Sequence, residues 1–231
     1  MIPKVTDDYI TDFTAQFELE PDSTSLIVVD MQYATACREM GLGKLLREQG
    51  KDDLVRYRFD HIEGVVVPTI QRLLSFFRRH HLAIVYVTMG SRAPDYSDVL
   101  PYLRVLLQSS NNRLGMPEHN ILEELKPEPG EIVVNKTTIG AFRSTNLDSI
   151  LWSRGIRYLL FTGVSTNMCV ETTARDAADR GFRCVLIDDG CGASSPEYHE
   201  ATMVTFQRLF GKVQNSEDVM EELKSKFQPQ T

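Results

Sequence analysis

Short, continuously apolar runs alternating with longer stretches of helical periodicity constrain this chain more than any other feature. Five such runs are Ser25–Asp30 (SLIVVD), Ala83–Thr88 (AIVYVT), Glu131–Val134, Tyr158–Thr162 (YLLFT) and Cys184–Ile187 (CVLI), and a weaker one, Gly211–Val213, fits an edge strand. Strands apolar on every residue belong to a parallel sheet with both faces covered. The covering layers are also legible. Ile62–His80 repeats helically, with Val66, Ile70, Leu73, Leu74 and Phe77 on one side, and Asn146–Ser153 closes at Gly155. Asn167–Arg180 stops at Gly181, a suitable left-handed C-cap, and Pro196–Phe210 and Asp218–Phe227 complete the set. The expected fold is a three-layer α/β sandwich. Neither a repeat nor a low-complexity linker divides the chain, so one domain over 1–231 is expected, with 1–23 as an N-terminal extension.

Two segments break the alternation. Tyr33–Tyr57 follows the first strand and is mixed, and Gly90–His119 is polar and irregular. Long excursions after strand C-termini build ligand sites in doubly wound folds, which makes 90–119 a candidate active-site insertion.

Charge and composition remove several classes of function. The formal net charge of −7 leaves no basic footprint for nucleic acid. No run reaches the roughly 18 apolar residues that suggest a membrane span. Residues 1–19 carry Asp7, Asp8, Asp12 and Glu18 and no apolar core of a secretory signal, so the cytoplasm is the expected compartment. The four cysteines, at 37, 169, 184 and 191, form no CxxC pair, which argues against a disulfide framework or a structural zinc site. One of these thiols is then a candidate reagent.

The ends of three strands carry the chemistry. Asp30 closes SLIVVD, Lys136 follows Glu131–Asn135, and the turn after YLLFTG leads through Val164-Ser165-Thr166-Asn167-Met168 to Cys169 in the first turn of a helix. A carboxylate, an ammonium and a thiol thus face one edge of the sheet. A helix N-terminus and a nearby cation both lower a thiol pKa from its usual value of about 8.5. Asp30 is placed to take the thiol proton and return it to a leaving amine, and the Gly163–Asn167 turn to direct N–H groups at an oxyanion. On residue types alone, other readings stand beside this one: a carboxylate after a strand is often a cap, a lone lysine is usually solvated, and a buried cysteine is usually packing.

Three segments resemble the isochorismatase-like cysteine hydrolases. They are Leu26–Gln32 (LIVVDMQ), Lys136–Leu147 (KTTIGAFRSTNL), and Gly155-Ile156 leading into Thr162–Asp176 (TGVSTNMCVETTARD). The likeness runs from about Ser25 to about Val213. It implies a six-stranded, mostly parallel, Rossmann-like sheet flanked by helices, in a homodimer or homotetramer. It further implies Asp30 as general base and acid, Lys136 as support for thiolate and substrate, and Cys169 as the acyl-forming nucleophile. A cis peptide at Val164–Ser165 is also implied, with the N–H groups of Ser165 and Cys169 aimed at the oxyanion.

Departures from the family pattern narrow the expectation. Nicotinamidases bind a metal through Asp-x-His-x-x-His after the second strand, but Thr88–Ser97 contains no histidine, and His80 and His81 precede that strand. No metal and no cofactor are expected. Cys169 argues against a true isochorismatase. What remains is a carbamoyl or amide hydrolase resembling ureidoacrylate, N-carbamoylsarcosine and biuret hydrolases. Its expected partner is a small amide or ureido substrate, and the expected reaction cleaves a C–N bond through a thioacyl or thiocarbamate intermediate. A simple carboxamide hydrolase with the same three residues, or a non-catalytic relative kept for interaction, are the alternatives. Tyr33 and Phe142 are candidate apolar walls for that substrate, Asn111 and Arg113 candidate polar contacts, with Arg113 matched to a carboxylate, and Gln207 a candidate amide partner.

Overall fold

The six apolar runs pair side by side because their buried backbone N–H and C=O groups need partners, and helices cover the two faces that result. The computed structural model describes residues 9–227. Strands β1 (Thr24–Val29), β2 (Ala83–Met89), β3 (Ile132–Lys136), β4 (Tyr158–Val164), β5 (Arg183–Gly192) and β6 (Gly211–Gln214) form one sheet of order β3-β2-β1-β4-β5-β6. Every neighbouring pair is parallel. Residues 1–8 and 228–231 of the expected 1–231 domain lie outside the described residues.

Nine helices flank the sheet among the described residues: α1 (Tyr33–Ala36), α2 (Gly41–Glu48), α3 (Asp52–His61), α4 (Val67–Arg79), α5 (Pro101–Ser109), α6 (Leu147–Ser153), α7 (Glu171–Asp179), α8 (Pro196–Gln207) and α9 (Ser216–Lys226). Successive strand residues point to opposite faces and build two cores. Ile27, Val29, Val85, Val87 and Phe161 meet Leu103 and Leu107 of α5, Leu147 and Leu151 of α6, Ala174 and Ala177 of α7 and Met203 and Phe206 of α8. Leu26, Val28, Ile84, Tyr86, Leu160 and Val185 meet Phe59 of α3, Ile70, Leu73 and Phe77 of α4 and Val219 and Leu223 of α9. Each such side chain, fully buried, contributes about 1.5–3 kcal/mol of transfer free energy before entropy is counted. The three-layer sandwich expected from the runs is the observed architecture.

Several expectations about individual elements need correction. The mixed segment Tyr33–Tyr57 folds into α1, α2 and most of α3, and the irregular segment Gly90–His119 contains α5. Helix α5 begins on Pro101, where a missing N–H costs nothing, but it exposes Tyr102, Val105 and Leu106, so its sequence lacks a polar face to mark it. The helix expected from Ile62 starts with a π turn, Ile62–Val66, before α4. Pro68, which cannot donate to the helical ladder, sits just after that turn, and the wider winding accommodates it. The run expected over Cys184–Ile187 is longer: β5 runs on to Gly192 through an irregularity in which Phe161 and Gly163 pair with Leu186 and Cys191. The expected αL cap at Gly181 is present, with φ of 87°.

Chain order reverses across the sheet between β1 and β4, since β2 and β3 lie to one side of β1 while β5 and β6 lie beyond β4. Ligands in such sheets bind outside the strand C-termini at this reversal. Gly163 makes the close approach possible. Its φ is 109°, and a Cβ there would lie 2.0 Å from the Val29 carbonyl oxygen.

This contact yields a test by substitution. Gly163→Ala should lower stability by about 3 kcal/mol or more, because both the dihedral and the backbone of β1 oppose a methyl group. Gly181→Ala, strained in φ but facing open space, should cost only about 1 kcal/mol. Urea denaturation of both variants checks this, and equal losses would refute the close-approach argument.

Candidate active site

Asp30 is the first residue beyond β1. Its φ is 52°, an uncommon conformation for a non-glycine residue, and its N–H donates to the Val87 carbonyl of β2 at 2.8 Å. The Thr35 hydroxyl, one turn into the following segment, donates to the Asp30 carbonyl. Lys136 ends β3, two strands away, and its Nζ donates to Asp30 Oδ2 at 2.8 Å and to Cys169 Sγ at 3.4 Å. Cys169 lies in a π turn, Thr166–Val170, that leads from β4 into α7. The structure therefore brings the three strand-end residues into one hydrogen-bonded cluster. Asp30 and Lys136 are buried, at 1% and 0% exposure, and Cys169 is 7% exposed.

Burial and mutual charge set the protonation of this cluster. Burial favours neutral Lys136, but its interactions with Asp30 above all, and with Cys169, outweigh it and raise the lysine pKa, so the ammonium persists. Cys169 goes the other way from the expectation. Burial first, and then the Asp30 carboxylate, push its thiol up to about 12 against the opposing pull of Lys136. The helix end and the cation were expected to lower it, but the Lys136 ammonium that would have stabilised a thiolate is shared with Asp30. The resting group is a thiol. Asp30 Oδ1 is buried without a hydrogen-bond partner and is available as an acceptor.

The nucleophile turn is held from both sides. The Val164–Ser165 peptide is cis. Thr173 donates to the Cys169 carbonyl at 2.6 Å and accepts the Ala141 N–H at 3.2 Å, which ties the loop after Lys136 to the start of α7. Thr166 Oγ1 lies 3.0 Å from His199 Nδ1, and His199 Nε2 lies 3.0 Å from Asp188 Oδ1, a chain that runs from α8 and β5 to the turn. Arg58 of α3 donates from Nη1 to Ser165 Oγ at 2.7 Å and from Nη2 to the Thr35 carbonyl at 2.9 Å.

The insertion 90–119 packs back over the ends of β1–β3. Gln32 donates to the Met89 and His119 carbonyls at 3.1 and 2.7 Å and accepts the Met89 N–H at 2.8 Å. His119 Nε2 donates to Asn135 Oδ1 at 2.8 Å, and Gly90 leaves room for its ring, since a Cβ there would lie 2.4 Å from it. Burial lowers the His119 pKa, partly offset by Asn135 and Asp30, so the imidazole is neutral near pH 7. His119 thus sits at the ends of β2 and β3, outside the Thr88–Ser97 stretch that lacks a histidine. Among the described residues, no group of three or more His, Cys, Asp or Glu side chains is arranged to hold a metal ion.

The five candidate substrate contacts fare differently. Tyr33 opens α1 beside the cluster, its OH accepting the Glu123 N–H at 3.2 Å, and it borders an open cleft of about 510 Å³ with His119. Asn111 turns the chain at φ 52° and donates to Glu118 at 2.7 Å, while Arg113 donates to Met116 Sδ at 3.2 Å; both side chains are engaged within the insertion. Phe142 is a correction. It is buried against Phe182, which precedes β5, and lies under Arg180, so it packs in the core rather than walling a pocket. Gln207 is a second. It ends α8 just before Gly211, which pairs with Cys184 at the start of β5, and this is the opposite edge of the sheet from Cys169. A twelve-residue helix spans about 18 Å, enough to carry Gln207 out of reach.

Arg58, Asp188, His119 and His199 escaped the sequence reading. Arg58 sits in DDLVRYRFDH, where Arg56 pairs with Asp53 at the surface and only the neighbouring Phe59 hints that Arg58 turns inward.

The thiol state gives a measurable consequence. Alkylation of Cys169, followed at that residue by mass spectrometry, should climb steadily from about pH 7 to about pH 10 without a plateau near neutrality. Asp30→Asn removes the like charge while keeping the Lys136 ammonium, so the curve should move to lower pH. A neutral-pH plateau in the unaltered protein, or an unmoved curve in the variant, would contradict the arrangement.

Comparison with known proteins places these features in a family. The isochorismatase domain model matches residues 24–218. The ureidoacrylate amidohydrolase RutB of Rhizobium rhizogenes is 31% identical over 215 residues, covering 87% of this chain and 83% of that protein. A cysteine hydrolase from Pseudomonas syringae superposes with a TM-score of 0.78 at 24% identity, over 93% of this chain and 98% of that one. An N-carbamoylsarcosine amidase from Thermoplasma acidophilum superposes with a TM-score of 0.62 at 26% identity, over 84% and 96% of the two chains.

Proposed function

The chain belongs to the isochorismatase family, in its amidohydrolase branch, and from that premise we propose that it is a cysteine-dependent hydrolase of small carbamoyl or ureido compounds. It acts on carbon–nitrogen bonds other than peptide bonds. The observation that carries the cysteine mechanism is the buried chain from Asp30 through Lys136 to Cys169, at 2.8 and 3.4 Å. The activities that name the RutB relative and the N-carbamoylsarcosine amidase support the substrate class.

In this mechanism Asp30 takes the proton of the Cys169 thiol as sulfur attacks the carbamoyl carbon. The N–H groups of Ser165 and Cys169, on the turn after β4, receive the oxyanion. Collapse breaks the C–N bond, and the proton on Asp30 leaves with the amine. Water, deprotonated by Asp30, then attacks the thiocarbamate; the thiol re-forms, and carbamic acid decomposes to carbon dioxide and ammonia. Lys136 holds the Asp30 carboxylate through its Nζ and offsets the negative charge on sulfur as it develops. The thiol does not need a low resting pKa, because proton transfer to Asp30 accompanies attack.

This reading needs no divalent metal, and it takes residues 1–231 as one hydrolase domain, with 1–23 as an extension and 90–119 folded over the site. The cytoplasm is its compartment and a homodimer or homotetramer its assembly. Among the described residues, no helix is long and apolar enough to cross a membrane.

The experiment is an ammonia-release panel of ureido acids, biuret and primary amides. Turnover should favour ureido compounds, persist in the presence of a chelator, and vanish in Cys169→Ala with the far-ultraviolet circular dichroism unchanged. A preference for primary amides selects the carboxamide alternative. Substantial turnover by Cys169→Ala, or chelator inactivation reversed by zinc, would sink the mechanism.

A further inference from the structure

Arg58 is a buried cation without a counter-ion among the described residues. Only 6% of the residue is exposed, and its two hydrogen-bond partners, Ser165 Oγ and the Thr35 carbonyl, are both neutral. Its Nε is buried with no partner at all. Among the described residues no carboxylate lies in ion-pair contact with it. Of the acids nearest in sequence, Asp60 and Glu63 are paired with Arg38 and Asp53 with Arg56, all at the surface, and Asp30 is taken by Lys136. Burial pulls the Arg58 pKa down to about 10, which still leaves the guanidinium charged near neutrality.

Charge accounting turns this into a statement about the ligand. Around the nucleophile turn the protein buries two cations, Lys136 and Arg58, and one carboxylate, Asp30. An isolated buried charge is unfavourable unless an anion joins it. Cys169 is close enough for a thiolate to act on Arg58, but its resting form is the thiol. Among the described residues, none supplies the missing negative charge. A guanidinium with Nε–H and Nη–H groups to spare is the donor geometry that fits a carboxylate side-on. Arg113, expected from sequence to fill this role, is occupied with Met116 and sits in the insertion.

We propose that Arg58 is a specificity-determining residue of the site, and that it receives a carboxylate carried by the substrate at the end away from the scissile carbamoyl group. The inference rests on the hydrolase reading for the other end of that substrate. The favoured substrates are then ureido acids rather than neutral ureas or amides. The contact with Ser165 couples recognition to chemistry, because filling the anion site fixes the turn that bears Cys169.

Alkylation by a size-matched pair of reagents tests this without requiring turnover. Iodoacetate and iodoacetamide deliver nearly the same group to Cys169 and differ in charge. With rates read at Cys169 by mass spectrometry, Arg58→Gln should slow iodoacetate by about tenfold or more and change iodoacetamide by less than about threefold. Arg58→Lys should retain most of the iodoacetate rate. Equal slowing with both reagents would mean that Arg58 serves the thiol or the turn alone, and would overturn the proposal, as would no change with either. If Arg58→Gln does not fold, the unaltered protein decides: 3-ureidopropionate should protect Cys169 from iodoacetamide and its neutral amide should not, and equal protection overturns the proposal. Charge-selective alkylation in a protein that hydrolyses no ureido compound keeps Arg58 as anion receiver and removes the hydrolase reading. Hydrolysis of neutral ureas without charge selectivity does the reverse.

Discussion

The buried contact between Lys136 and Asp30 is the constraint around which the site is organised. Taking either charge out of water alone costs several kcal/mol, and removing one partner of a buried pair typically costs about 3–5 kcal/mol because the other is stranded. The two residues come from strands that are not neighbours: β1 and β3 lie on either side of β2. Their contact across the end of β2 requires that Asp30 leave β1 at a positive φ, anchored to Val87, and that β3 end level with β2, as the pairing of Met89 with Lys136 ensures. Cys169 arrives from the other side of the chain reversal, where Gly163 lets β4 press against the end of β1. Strand register, one left-handed residue and one missing side chain together fix a three-residue cluster.

Much of this was legible because the signals are local. Continuous apolar runs report a doubly covered parallel sheet, and chemistry-bearing residues at run ends report its C-terminal edge. Asp30, Lys136 and Cys169 each close or follow such a run, and no intervening helix had to be assigned correctly to bring them together. Gly181 likewise declared the end of α7 from its position alone. Wherever a residue's location follows from the strand it terminates, sequence suffices.

Where location depends on how an excursion packs, it does not. Phe142 follows Lys136 by six residues, yet its ring belongs to the core beneath α7, a choice made by Phe182 and Arg180 from distant parts of the chain. Gln207 shares a helix with His199, but α8 runs the length of the sheet, so eight residues separate the nucleophile's edge from the opposite one. His119 reaches the site only because Gln32 clamps the end of the insertion to β2. Arg58 and Arg56 differ by two positions on α3, and helical geometry sends one inward and one to water. None of these placements leaves a periodic trace.

The protonation of Cys169 shows why a correct residue set does not by itself give a correct electrostatic state. A thiol beside a lysine at the start of a helix reads as an activated thiolate, and each pairwise effect has that sign. The structure adds a third charge. Burial favours the neutral thiol most, and Asp30, against Lys136 at 2.8 Å while the sulfur lies at 3.4 Å, adds to it and takes the closer contact with the ammonium. In the proposed mechanism that order is useful. A resting thiol is a poor nucleophile toward passing electrophiles, whereas a carbonyl held against it makes sulfur attack and proton transfer to Asp30 a single event. The buried, unpaired guanidinium of Arg58 extends the same logic: a site short of one negative charge until its substrate arrives ties the substrate's own charge to the positioning of the turn that attacks it.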